Sequence, residues 1–123
     1  MTVKRIVPDL STSTMDASRR FYADVLGLVP VMDQGWIVTL AGSPGGGQVS
    51  LMTHDATAPV VPVMSIEVDD VDAAYAAAVA TGAEIVHPLT DEPWGVRRFF
   101  ARDPAGHVVN VLAHSSTVDR TGG

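Results

Sequence analysis

The sequence predicts an α+β fold: two β-α-β-β-β modules whose curved mixed sheets surround a central cleft, with the helices on the outside. Three observations carry this. Val7 and Val63, like Asp16 and Asp72, stand 56 residues apart, and Gly27 and Gly82 stand 55 apart, so landmarks recur at a near-constant offset. In each half an apolar, β-branched run precedes an amphipathic stretch closed by glycine, and further strand-like runs follow. The turn Asp103-Pro104-Ala105-Gly106 then brings two strands together, because proline sets φ and glycine relieves the last corner. The repeats cover about residues 3–55 and 62–114 of a single domain, residues 1–123. One such module leaves a sheet face uncovered, and duplication with the sheets curving together covers it.

Val3 to Leu10 reads as the first strand, ended by Pro8-Asp9 and the polar run Ser11 to Thr14. Asp16 is placed as the N-cap of a helix in which Ala17, Phe21, Val25 and Leu26 recur at helical spacing, and Gly27 is its C′ residue. Val29 to Met32, Gly35 to Ala41 and Gln48 to Thr53 are three strands. The glycine-rich loop between the last two lacks the Lys-Ser/Thr of a phosphate cradle and opens no helix, so it reads as a hairpin connection. After a proline-rich connector the order restarts. Val63 to Val68 alternates as a strand, Asp69-Asp70 caps a helix from Val71 to about Thr81, and Gly82 ends it. Glu84 to His87 is a short strand, followed by Trp94 to Arg102 and by His107 to Leu112. The tail from Ser115 to Gly123 is polar and expected to be disordered.

Composition excludes several classes. The chain is 46% hydrophobic and 18% charged, with a net charge of −6 and no basic cluster, which argues against a nucleic-acid partner. Cysteine is absent, removing disulfides, thiolate metal sites and thiol nucleophiles together. No segment approaches the roughly 18 apolar residues of a membrane span, and Met1 to Arg5 precedes no apolar leader core. A cytoplasmic location without membrane contact is expected.

The stretch Asp16-Ala17-Ser18-Arg19-Arg20-Phe21-Tyr22-Ala23-Asp24-Val25-Leu26-Gly27-Leu28, the helix start at Val68-Asp69, and the segment from Pro93-Trp94-Gly95 through Asp103-Pro104-Ala105-Gly106 carry a resemblance. They look like the glyoxalase, bleomycin resistance and extradiol dioxygenase superfamily, also called vicinal oxygen chelate, over roughly residues 3 to 114. That family holds metal enzymes and metal-free binding proteins on one fold, so membership implies architecture more firmly than activity. In glyoxalase I, four His or Glu ligands come from inward-facing strand positions; carried over by spacing from the motifs, those positions here hold Val7, Ser50, Val63 and Asn110. Valine cannot ligate, serine is a poor neutral donor, and asparagine offers one carbonyl. No metal and no cofactor is therefore expected. The pattern is most similar to the metal-free bleomycin resistance-like members, which implies a small-molecule ligand and a homodimer.

Trp36 and Trp94 match the tryptophans that line the drug pocket in bleomycin resistance proteins, where two indoles sandwich a planar group. Strand parity adds the polar candidates. Arg5 shares a face with Val7, Glu67 and Ser65 share one with Val63, and Val108, Leu112 and His114 share one with Asn110. Alternation lets only one of Phe99 and Phe100 line the cavity, and parity alone leaves both open; Phe100 is carried among the candidates. The ligand-binding set is thus Arg5, Trp36, Ser50, Glu67, Trp94, Phe100 and Asn110. His54, His87 and His107 read as solvent-facing loop edges, and His114 as the end of the last strand. The reading is a metal-free binder of an aromatic or drug-like molecule, with antibiotic sequestration as one role. The alternative is a metal-dependent lyase or dioxygenase with displaced ligands. A metal-free enzyme using Glu67 or Arg5 stands third.

Overall fold

Alternating strands and two capped helices follow the predicted order closely. The computed structural model describes residues 1–43 and 46–115. The chain divides into two compact units, one from Val7 to Val61 and the other combining Met1–Ile6 with the chain from Pro62 onward. The tail beyond 115 and the middle of the glycine-rich loop lie outside the described residues. No helix among the described residues is long and apolar enough to cross a membrane.

In the first unit, β1 (Val3–Ser11, whose first residues belong to the other unit) leads into α1 (Met15–Leu26), β2 (Val29–Asp33), β3 (Ile37–Ala41) and β4 (Gln48–Met52). The strand order is β2-β3-β4-β1, antiparallel except for β1 beside β4. Met15 and Tyr22 of α1 pack on Val38, Leu40 and Leu51, which alternation places on one face. Gly27 ends the helix at φ 71° and donates its N–H to the Ala23 carbonyl, the left-handed cap its position predicts. The N-terminus differs from expectation. Thr14, not Asp16, is the N-cap, because Thr12 Oγ1 accepts the Thr14 N–H at 3.0 Å and meets Ser18 Oγ at 2.8 Å. This local hydroxyl bonding brings the chain into the helix earlier, and Asp16 sits in the first turn, where its charge favours the helix dipole.

The second unit contains β5 (Met64–Val68), α2 (Val71–Ala80), β6 (Glu84–Asp91), β7 (Val96–Arg102) and β8 (Val108–His114), ordered β5-β8-β7-β6 with β5 and β8 parallel. Asp70 caps α2 by accepting the Ala73 N–H at 3.0 Å, as expected. Under α2 lie Ile66, Val68, Phe99, Ala101 and Val111, with Tyr75 edge-on to Phe99 at 5.0 Å. In the β7–β8 turn, Asp103 Oδ1 accepts the N–H groups of Ala105 and His107, and Gly106 adopts φ 96°. The strand expected to stop at His87 continues to Asp91. Pro88 is tolerated because β6 ends the strand order and its register shifts on both sides of His87.

The two registers correspond. Asp9 faces Ser50 across β1 and β4, and Ser65 faces Asn110 across β5 and β8, so Asp9 and Ser65 keep the 56-residue offset of the repeat. Ser50 is thus the topological counterpart of Asn110.

Candidate functional site

The face of the second unit's sheet turned away from α2 carries Ser65 and Glu67 of β5, Arg98 and Phe100 of β7, and Asn110, Leu112 and His114 of β8. Period-two alternation separates them from the residues packed under the helix. Phe100 is the phenylalanine on this face, fully buried, while Phe99 belongs to the core under α2.

At one end of the face Glu67 gathers cationic groups. Its Oε1 lies 3.2 Å from Arg5 Nε, and its Oε2 lies 3.0 Å from His114 Nδ1 and 3.9 Å from Lys4 Nζ. The carboxylate is 14% exposed, whereas the Arg5 and Lys4 side chains are 42% and 55% exposed. Glu67 is thus drawn inward rather than standing on an open rim. Beside it, Asn110 Nδ2 donates to Ser65 Oγ at 2.9 Å while the buried Asn110 Oδ1 has no hydrogen-bond partner. Exchanging the amide oxygen and nitrogen would leave the other end unmet, so one polar atom here lacks a partner in either orientation. Leaving it unmet costs about 1–3 kcal/mol.

A second cluster surrounds Arg98. Its Nε donates to Glu92 Oε2 at 2.6 Å, the same oxygen that His87 Nε2 approaches at 3.0 Å. The guanidinium carbon lies 5.0 Å from the Trp94 ring and 4.8 Å from the Phe100 ring, and the His87 ring, tilted by 59°, lies 5.3 Å from Phe100. His87, Glu92 and Arg98 are all buried. His87 is therefore not the solvent-facing residue its place before Pro88 suggested, because β6 continues past it and turns its ring inward. Trp94 lies in the turn before β7, as Pro-Trp-Gly implied, and is half-buried over Arg98. Parity counted from Phe100 would have found Arg98; no sequence signal marked Glu92.

In the first unit, Ser50 is buried and bonds Thr39 Oγ1 at 2.8 Å, and Asp9 is buried beside it in register, a residue that period two from Val7 would have supplied. Trp36 is half-buried, its ring 6.2 Å from that of the exposed His54. His107 is exposed and bonded to Asp103.

Charge nearby is set by simple contacts. The Thr2 backbone N–H, 2.7 Å from Asp69 Oδ1, holds that carboxyl below its ordinary range, and hydrogen bonding from Arg97 does the same for Asp72.

The donors at the glyoxalase positions do not fit a metal ion. Val7 and Val63 carry hydrocarbon only, Ser50 Oγ is engaged with Thr39, and Asn110 offers one amide atom. Among the described residues no three His, Cys, Asp or Glu side chains cluster within reach of one ion.

No curated protein sequence matches this chain. Among solved structures, it resembles a glyoxalase/bleomycin resistance protein/dioxygenase superfamily member from Vibrio splendidus 12B01, with 20% identity and TM-score 0.71 over 91% of this chain and 99% of that one. It also resembles methylmalonyl-CoA epimerase from Mycobacterium tuberculosis, with 15% identity and TM-score 0.65 over 97% and 91%. A third is the Mn(II)-bound glyoxalase from Novosphingobium aromaticivorans, with 24% identity and TM-score 0.59 over 90% of this chain and 38% of that one. At such identities these likenesses speak for the fold. Residues 3–111 match the family model described as Glyoxalase/Bleomycin resistance protein/Dioxygenase superfamily. The chain belongs to that superfamily.

Proposed function

We propose that this chain binds a small aromatic or amphipathic molecule without a metal ion, in the manner of the bleomycin resistance-like members, with sequestration of a planar antibiotic as one role. The observation that carries the reading is the donor set: two valines, a hydroxyl already bonded to Thr39, and one amide stand where the metal enzymes of the family need His or Glu. Support comes from the unmet Asn110 amide atom and the inward Glu67, two polar groups that suit orientation of a ligand. Half-buried Trp94 supplies aromatic surface there, lying over Arg98, with the fully buried Phe100 ring beneath as support. In the first unit Trp36 and Ser50 are the corresponding candidates.

The test is binding of a panel of planar antibiotics, followed by tryptophan fluorescence before and after treatment with EDTA. Equal affinity is expected in both; loss after chelation would overturn the reading. One observation favours the metal-dependent alternative, the approach of His114 to Glu67, since together they offer two donors. A homodimer belongs to the same proposal. Helix α1 buries none of its residues and leaves Phe21, Val25 and Leu26 exposed, and sedimentation as a monomer at micromolar concentration would remove it.

A further inference from the structure

Among the described residues three histidines pair with carboxylates, and they differ in exposure. His87 offers Nε2 to Glu92 inside the Arg98 cluster, with its side chain 11% exposed. His107 pairs with Asp103 on a turn and is 60% exposed, so both partners lie open to water. His114 combines the two useful properties. Its Nδ1 is held 3.0 Å from the largely buried Glu67, and its side chain is 33% exposed. A carboxylate only accepts, so the neutral imidazole keeps its proton on Nδ1 and its lone pair on Nε2. Arg5 holds the other Glu67 oxygen, so the carboxylate is fixed from both sides.

We propose that Glu67 and His114 form an acid–base dyad, with His114 Nε2 taking a proton from a carbon acid bound in the groove that His114 lines at the start of α2. The inference rests on the small-molecule reading above and goes beyond binding to chemistry. Glu67 is the positioning residue and His114 the catalytic one. The donor set of this chain supplies no Lewis acid, so the substrate class is one whose C–H is acidified by its own electron-withdrawing group. The C–H bond breaks, its electron pair stays with the substrate, and an N–H bond forms at Nε2. The proton is then returned to the substrate or lost to water. The charged groups around His114 are Glu67 on β5, Lys4 and Arg5 on β1, and those lining a groove of about 260 Å³ shared with it: Asp69, Asp70 and Asp72 at the start of α2, Asp91 on β6 and Arg97 on β7.

The probe is 5-nitrobenzisoxazole with chelator-treated protein. A base removes its ring proton, the C–H electron pair forms the nitrile, and the N–O bond breaks with its electrons on oxygen, so the ring opens to one coloured cyanonitrophenolate. Saturable turnover that rises with pH as the imidazole loses its proton is expected, with His114→Ala slower by about 100-fold. Glu67→Gln should keep part of the rate and move the midpoint of the pH profile, which a merely structural role would not do. His107→Ala should match the parent. Equal rates in the parent and His114→Ala would overturn the dyad, and so would a 15N spectrum placing the neutral His114 proton on Nε2, a measurement that needs no variant to fold. Fluorescence titration with the same probe and with the planar-antibiotic panel separates the two claims. Absence of turnover, with or without binding of the probe, sinks the dyad alone, and absence of binding across the planar-antibiotic panel sinks the small-molecule reading.

Discussion

Arg98 lies beneath Trp94, its guanidinium carbon 5.0 Å from the indole and 4.8 Å from the Phe100 ring. A buried cation of this kind needs both a counter-charge and cover, and Glu92 and Trp94 supply them. The tryptophan that sequence reasoning assigned to a ligand pocket is thus also a structural lid over an ion pair.

Trp94→Ala should therefore lower stability by about 1–2 kcal/mol, through lost cation–π contact and hydration of the guanidinium, in addition to weakening binding of a planar ligand. Urea unfolding of Trp94→Ala and Trp94→Phe checks this. The phenylalanine variant should recover most of the loss, and an unchanged midpoint in the alanine variant would show that Arg98 does not need its cover.

Arg98→Ala leaves Glu92 charged and buried beside His87. A loss of about 3–5 kcal/mol is expected, the cost of breaking one partner of a buried pair. Differential scanning calorimetry measures it, and a loss below about 1 kcal/mol would mean that water reaches Glu92.

Asn110→Leu removes the unmet amide atom and keeps a similar volume, at the expense of the bond to Ser65. Stability should change by no more than about 1.5 kcal/mol, while ligand affinity falls about tenfold or more. Parallel melting and fluorescence titrations separate the two effects, and undiminished affinity would take Asn110 out of the binding face.

Acid should destabilise the fold through exposed aspartates whose carboxyls are held low. Asp103 accepts the His107 backbone N–H, and Asp72 accepts from Arg97, so both are depressed below 3.8. Depressed carboxyls contribute stability that is fully present above their unfolded value and is lost as pH falls through the lower folded value. Urea midpoints should be level near about pH 5 and drop toward about pH 2. Asp103→Asn keeps an acceptor at Oδ1 but no titrating group, so its curve should fall less steeply, and an identical curve would remove Asp103 from the acid response.

Metal addition gives the sharpest test of the donor set. An ion held at 100 times its Kd would add about 2.7 kcal/mol and raise Tm by several degrees. No rise is expected with Mn, Fe, Co, Ni or Zn after chelator treatment; a rise that His114→Ala abolishes would instead locate a displaced centre at His114 and Glu67.

Element order was readable because it depends on local physics. Strand alternation, the Asp70 cap, Gly27 and the Asp103 turn each act within a few residues, and the 56-residue offset reappears in the pairing of Asp9 with Ser50 and Ser65 with Asn110. The valines at the ligand positions, and hence the argument about metal, were equally legible in the residues. Parity put Glu67, Asn110 and His114 on one face but could say nothing of distance. That Glu67 reaches both Arg5 and His114, that Asn110 spends one amide end on Ser65, and that His87, Glu92 and Arg98 form a buried cluster under Trp94 were decided only by the tertiary structure. Those contacts join residues far apart in the chain, or, around His87, depend on a register shift in β6, and neither leaves a mark in composition or spacing.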